Sequence, residues 1–173
     1  DAVEIDNSNL TIDEQANFSG LHNFTADELI TFSGAVRKGL NERYSFIHPQ
    51  NEKICGLSHV LWTGNTKNKE ADARNAVFYG EKAIDRCPCG TGTSARMAQW
   101  FSNGKLQLGS RFIHESVIGS QFIGTVEEKQ KIGDFDAIVS GIEGWAKVTG
   151  YNHIIIDDED DPYAHGFRVV GKL

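Results

Sequence analysis

Apolar and polar positions divide the chain into an early helix, a strand-rich middle, a short buried helix and a long strand-rich close. Residues 1–20 are polar and weakly patterned, with one apolar stretch at 2–5. From Thr25 onward Leu29, Phe32, Val36 and Leu40 recur on one helical face, and Thr25 and Glu28 stand at capping-box spacing. Gly39 and Asn41 signal the end of this helix. The period then shortens, predicting strands within 54–62 and 73–79 around a polar turn at 63–70. A second helix is expected over 93–103, with Gly104 just past its end. Ala95, Met97, Ala98, Trp100 and Phe101 make it apolar around most of its circumference, as in a helix buried inside a sheet. Runs at 105–108, 112–116, 121–128, 135–149 and 152–156 predict further strands, with turns at Gly109, Gly119, Gly133 and Gly150. Residues 157–161 read as an exposed acidic loop before Pro162, and 167–170 as a last short strand. The pattern is that of one α+β domain, with at least seven strands curled around a buried helix.

Composition narrows what such a domain does. A chain of 173 residues fills one domain or one large lobe, and 39% hydrophobic against 24% charged residues is ordinary for a globular protein. The net charge of −7, with no run of Lys or Arg, disfavours nucleic acid and anionic membrane surfaces. No apolar run approaches the roughly 20 residues that span a bilayer. The opening lacks the basic and apolar regions of a signal peptide, which points to the cytoplasm, and it has no clear structural start, as expected of a fragment. Three cysteines, an odd number, read as free thiols. Cys87 and Cys89 form a C-x-C pair that matches neither a redox C-x-x-C nor a zinc half-site, and the six histidines show no ligand spacing, so no metal is expected. The acidic residues 157–161 do not have calcium-loop spacing. Cys55, Trp62, Trp100 and Trp145 read as core, and His114 and Glu115 as structural residues of a strand.

The segment from Asp85 to Met97, Asp-Arg-Cys-Pro-Cys-Gly-Thr-Gly-Thr-Ser-Ala-Arg-Met, carries the candidate chemistry. Gly90 and Gly92 permit backbone geometries closed to other residues, at the start of a helix whose free N–H groups and dipole receive a carboxylate or phosphate. Cys89 lies at that mouth, where the positive helix end is expected to hold its thiol below the ordinary cysteine range. Asp85 lies four residues upstream, in position to accept hydrogen bonds from an ammonium group. Acid, thiol and anion nest match the ammonium, Cα–H and carboxylate of an α-amino acid. Each part alone is weak: the phosphate-loop lysine is missing, and a lone cysteine at a helix start is more often structural.

This segment resembles the second active-site motif of the proline racemase family, which includes 4-hydroxyproline 2-epimerases and 3-hydroxyproline dehydratases. Arg74-Asn75 with Val77 to Gly80, His114 to Ser120, Phe122-x-Gly124, Gly144, Thr149-Gly150, and Asp161-Pro162 through Gly166-Phe167 extend the likeness over most of 48–167. The resemblance implies a diaminopimelate-epimerase-type lobe, a curved and mainly antiparallel sheet wrapped around a central helix, with residues 1–173 as the C-terminal half of a two-lobed enzyme. It implies racemisation or epimerisation at Cα of proline or 4-hydroxyproline by two thiols on opposite faces, with no cofactor, in a protein that is commonly a homodimer. Carried over, Cys89 is the acid or base of this half, Asp85 meets the substrate nitrogen, Gly90 and Thr91 hold the carboxylate, and Tyr79 stands where a phenylalanine packs on the ring. The other cysteine belongs to a Met-Cys-Gly-His motif of the opposite half, which this sequence does not contain, so an isolated half is expected to be inactive. Cys87 replaces a serine, and Tyr79 brings a hydroxyl that suits a hydroxylated ring. The dehydratases carry threonine at the position of Cys89, which favours a racemase or epimerase. The rival readings are a non-catalytic amino-acid-binding lobe and a thiol redox protein using Cys87 and Cys89.

Overall fold

The computed structural model describes residues 20–166. A short 3-10 turn, Leu21–Asn23, precedes helix α1 (Ala26–Arg43) and a small hairpin of β1 (Ile47–His48) and β2 (Asn51–Cys55). Strands β3 (His59–Gly64), β4 (Ala73–Tyr79) and β5 (Ala83–Ile84) lead into helix α2 (Gly90–Ser102). Then come β6 (Arg111–Ser116), β7 (Gln121–Ile132) and β8 (Phe135–Glu143). The main sheet has the order β3-β4-β6-β7-β8, with β5 added to β4. Every pair in it is antiparallel except β4 with β6, which α2 joins as a crossover. β6 holds β4 only along Ala73–Asn75, so the far end of the strand, Phe78 and Tyr79, pairs with β5 instead.

β4 fixes where both helices lie. Ala73 through Phe78 are all buried, as in a strand covered on both faces. Alternation turns Ala73, Asn75, Val77 and Tyr79 to the α2 side and Arg74, Ala76 and Phe78 to the α1 side. On the α2 side Met97 packs with Ala73, Leu106, Phe112 and Val126. On the other side Leu29 packs with Leu21, Ala76 and Phe78. Ser33 joins α1 to the sheet: its hydroxyl donates to the Leu29 carbonyl at 2.6 Å and accepts from Trp62 Nε1 at 2.8 Å. The fold is thus α+β, a curved and mainly antiparallel sheet with α2 as its inner helix.

Several expectations are corrected. The thiol of Cys89 caps α2, which therefore starts at Gly90 instead of Thr93. Only Thr93 and Met97 of this helix are fully buried, while its other apolar residues are half-covered. α1 runs past Gly39 and Asn41 to Arg43, because the Asn41 side chain bonds both Leu57 N (2.7 Å) and Leu57 O (2.9 Å) and so ties the helix end to the sheet. Its buried row is Leu29 and Ser33, and Phe32 stays exposed, edge-on to Phe24. Cys55 is exposed on β2 and Trp145 is exposed beyond β8, so neither belongs to the core. Residues 105–108 form a turn that buries Leu106, with Gly104 at φ 71° where the chain leaves α2. β8 stops at Glu143, and residues 152–156 have no strand partner among the described residues; Ile154 and Ile155 are exposed. The acidic turn holds, with Asp157 Oδ1 accepting from the amides of Glu159 and Asp160. The strand expected at 167–170 lies outside the described residues. No helix among those residues is long and apolar enough to cross a membrane.

Candidate active site

Backbone conformation comes first at this site. Cys89 has φ 65°, and no other non-glycine among the described residues has a positive φ. That turn folds its side chain back over the first turn of α2. There Sγ accepts from the Gly92 amide at 3.4 Å and lies 3.2 Å from the Thr91 hydroxyl. Gly92 has to be small: a Cβ there would fall 3.0 Å from Leu61 Cδ1 and 3.3 Å from Val77 Cγ2. The close approach seats the helix mouth directly on β3 and β4.

Asp85 reaches the same place by extending the β4–β5 pairing, its amide donating to the Val77 carbonyl at 3.0 Å. It is half-buried, and its carboxylate is close enough to raise the Cys89 thiol. The thiol is pushed above the ordinary cysteine value, first by burial and also by Asp85, with Thr91 and Gly92 pulling it back. This corrects the expectation of a depressed thiol: Cys89 is 8% exposed, and desolvation outweighs the helix end. Gly90 and Thr91 are exposed at the mouth, and their amides, two of the orphan donors of a helix start, bond no other described residue. The sequence expects an anion nest at these two amides, and the structure leaves both of them facing the mouth.

Tyr79 lies two residues beyond Val77 on the α2 side of β4, at the end toward which the N-terminus of α2 points. It is 38% exposed and stacks on His59, its cross-strand partner, with ring centroids 5.4 Å apart. The loops on either side are fixed by Arg37 of α1, which donates to the carbonyls of Ser58 and Gly80. The structure thus brings Cys89, Asp85, Gly90 and Thr91 to one mouth, with Tyr79 along the strand face beside it. Cavities of about 340 and 740 Å³ lie elsewhere, lined by Ser120 and Glu143 in one case and by Arg74 and Arg96 in the other. Neither is lined by Cys89.

Sequence reasoning gave no site role to Asn75, Thr93 or His114. Asn75 donates to the Pro88 carbonyl at 2.7 Å, and Thr93 Oγ1 lies 3.0 Å from His114 Nδ1. The available signal was polarity: asparagine ahead of the apolar run Ala76-Val77-Phe78 in a strand has to have a partner once it is buried.

Comparison with known proteins gives the family of the chain. A family model described as proline racemase matches residues 7–168. The 4-hydroxyproline 2-epimerase of Ancylobacter novellus is 60% identical over 159 residues, 92% of this chain and 47% of that protein. The 4-hydroxyproline 2-epimerase of Spirosoma linguale is 54% identical over the same shares. Among solved structures, a hydroxyproline epimerase from Agrobacterium vitis with bound trans-4-hydroxy-L-proline has a TM-score of 0.70 at 25% identity, over 85% of this chain and 43% of that one. A probable proline racemase from Agrobacterium radiobacter with bound carbonate has a TM-score of 0.71 at 26% identity, over 91% and 45%. The chain spans about half the length of these relatives.

Proposed function

The chain belongs to the proline racemase family, and from that premise we propose that it is the lobe supplying one of two thiols in the epimerisation of 4-hydroxyproline at Cα. The observation that carries this reading is the cluster at one helix mouth: a thiol, a carboxylate near enough to shift it, and two unpaired amides. Those groups answer the Cα–H, the ammonium and the carboxylate of a single amino acid. The Ancylobacter novellus and Spirosoma linguale relatives, 60% and 54% identical, are 4-hydroxyproline 2-epimerases, which favours the hydroxylated ring over proline itself. The hydroxyl of Tyr79, exposed beside the mouth, is in keeping with such a ring.

The chemistry needs two protons to move on opposite faces. A thiolate on one side takes the α-proton, and a thiol on the other delivers its own proton to the far face of the carbanion. The product carries inverted Cα, and the enzyme is left with thiol and thiolate exchanged. Charge that develops on the substrate carboxylate is stabilised by the amides of Gly90 and Thr91 without a cofactor. The second thiol comes from a partner segment of the Met-Cys-Gly-His type in the other half of the enzyme, and this lobe alone turns nothing over.

Asp85 links binding to activation. In the free lobe its charge adds to burial in keeping the Cys89 thiol protonated. A substrate ammonium that pairs with Asp85 cancels its charge, so more of Cys89 is present as thiolate when substrate arrives. The test is optical rotation of trans-4-hydroxy-L-proline incubated with the complete polypeptide. Rotation is expected to relax toward the epimer mixture, and Cys89→Ser to slow it by about a thousandfold. No change of rotation with the unaltered protein, or an undiminished rate in Cys89→Ser, contradicts the reading.

A further inference from the structure

We propose that Asn75 is a positioning residue for Cys89: its side-chain amide anchors the Pro88 carbonyl and so locks the left-handed turn that aims the thiol. Cys89 has φ 65° and ψ 122°, a region that a residue bearing a Cβ avoids and keeps only when its surroundings impose it. Relaxing that φ requires the Pro88–Cys89 peptide plane to swing, and the carbonyl of that peptide is its handle.

The handle is held from two elements. Asn75 Nδ2, from β4, donates to Pro88 O at 2.7 Å, and Thr93 Oγ1, from α2, donates to the same oxygen at 3.4 Å. Thr93 Oγ1 also hydrogen-bonds His114 Nδ1 at 3.0 Å, and His114 Nε2 is buried and unpartnered among the described residues. Burial lowers the His114 pKa to about 4, so the ring is uncharged near neutrality. The far side of the peptide is tied as well, with Cys89 N donating to Cys87 Sγ at 3.4 Å.

Asn75 is 1% exposed, and its Oδ1 has no partner. An apolar side chain would fill a doubly covered strand without burying an unpaired acceptor. What asparagine adds at this point is its donor, and the donor goes to Pro88. With the peptide locked, Sγ stays over the Gly92 amide and the Thr91 hydroxyl; with it free, both contacts open.

The inference goes beyond the proposed epimerisation, because the geometry it explains does not depend on the substrate. Its test therefore reads the thiol and not turnover. Asn75→Leu and Thr93→Val are made in the complete polypeptide and labelled with iodoacetamide from about pH 6 to 10. Peptide mass spectrometry follows Cys89 separately from Cys87 and Cys55. The titratable neighbours of Cys89, namely Asp85, Cys87 and, through Thr93, His114, are the same in wild type and Asn75→Leu. In Asn75→Leu the Cys89 labelling midpoint is expected to move to higher pH, with labelling near pH 8 slowed about tenfold, one pKa unit. Thr93→Val, which loses the longer bond, shifts the midpoint in the same direction by a smaller amount. Cys55, exposed on β2 and remote from the network, keeps its profile and serves as the reference. A cooperatively melting Asn75→Leu protein whose Cys89 profile is unchanged, or moved to lower pH, overturns the proposal. Should Asn75→Leu not fold, an unshifted Cys89 profile in Thr93→Val overturns it alone. A shifted profile in a protein that never exchanges α-protons would support the positioning role while removing the epimerase reading.

Discussion

The resting state of Cys89 is set by a balance in which Asp85 weighs against reactivity. Burial and the Asp85 carboxylate hold the thiol in its protonated form, while Thr91 and Gly92 favour the thiolate. Asp85→Asn removes a charge and an acceptor at once. It is expected to speed iodoacetamide labelling of Cys89 near neutral pH while stopping epimerisation, because the same carboxylate receives the substrate ammonium. Slower or unchanged labelling would contradict this account of the thiol. His114 gives a second prediction at this scale. The unfolded chain takes up a proton near pH 6.5, and the folded chain resists until about 4. Stability is therefore full above about pH 6.5, falls between 6.5 and 4, and has lost roughly 3 kcal/mol by the bottom of that window. Urea midpoints at pH 7 and pH 4.5 should differ less in His114→Gln than in the wild-type protein; equal differences would show that His114 does not titrate this way. Only part of this scale was legible in the sequence. Cys89, Asp85, Gly90 and Thr91 announced themselves by spacing and by glycine chemistry. The direction of the thiol's shift did not, because it depends on how deeply α2 seats on β3 and β4.

At the scale of elements, α2 and the sheet meet with no spare room. A Cβ at Gly124 on β7 would fall on Met97 Sδ, and Met97 is fully buried at the centre of the inner core. Gly124→Ala is expected to cost about 1–3 kcal/mol of stability by overpacking. Combining it with Met97→Ala should recover part of the loss, and thermal melts of the two singles and the double check this. A neutral Gly124→Ala would mean that the helix rides further from the sheet. The presence of both helices and of strands β4, β6 and β7 was legible in the apolar pattern, though not every boundary was. The start of α2 was not, since a thiol cap lies outside the usual Ser, Thr, Asp and Asn set. The extent of α1 was missed because Gly39 meets open space and demands no turn, while Asn41 spends its side chain on Leu57. The apolar run at 152–156 has the composition of a strand, but a strand also needs a neighbour, and composition cannot supply that.

At the scale of the whole molecule, the proposed reaction makes the mouth at Cys89 one wall of a site. Gly90 and Thr91 are exposed at the mouth that Cys89 caps, and the chain matches about half the length of its relatives. A two-base reaction needs the second wall to bring its thiol to the opposite face of the substrate. The redox reading separates at this scale too. Cys87→Ser preserves an acceptor for the Cys89 amide and is expected to leave epimerisation within about twofold, because serine bonds that amide as the thiol does. A loss of activity there would favour the thiol pair.

The central claim is that Cys89 moves the α-proton of 4-hydroxyproline, and incubation in heavy water reads it directly. With the complete polypeptide and trans-4-hydroxy-L-proline, mass spectrometry should show one deuterium entering at Cα together with the appearance of the C2 epimer, and Cys89→Ser should show neither. Deuterium failing to enter with the unaltered protein, or entering at the same rate in Cys89→Ser, would contradict the account.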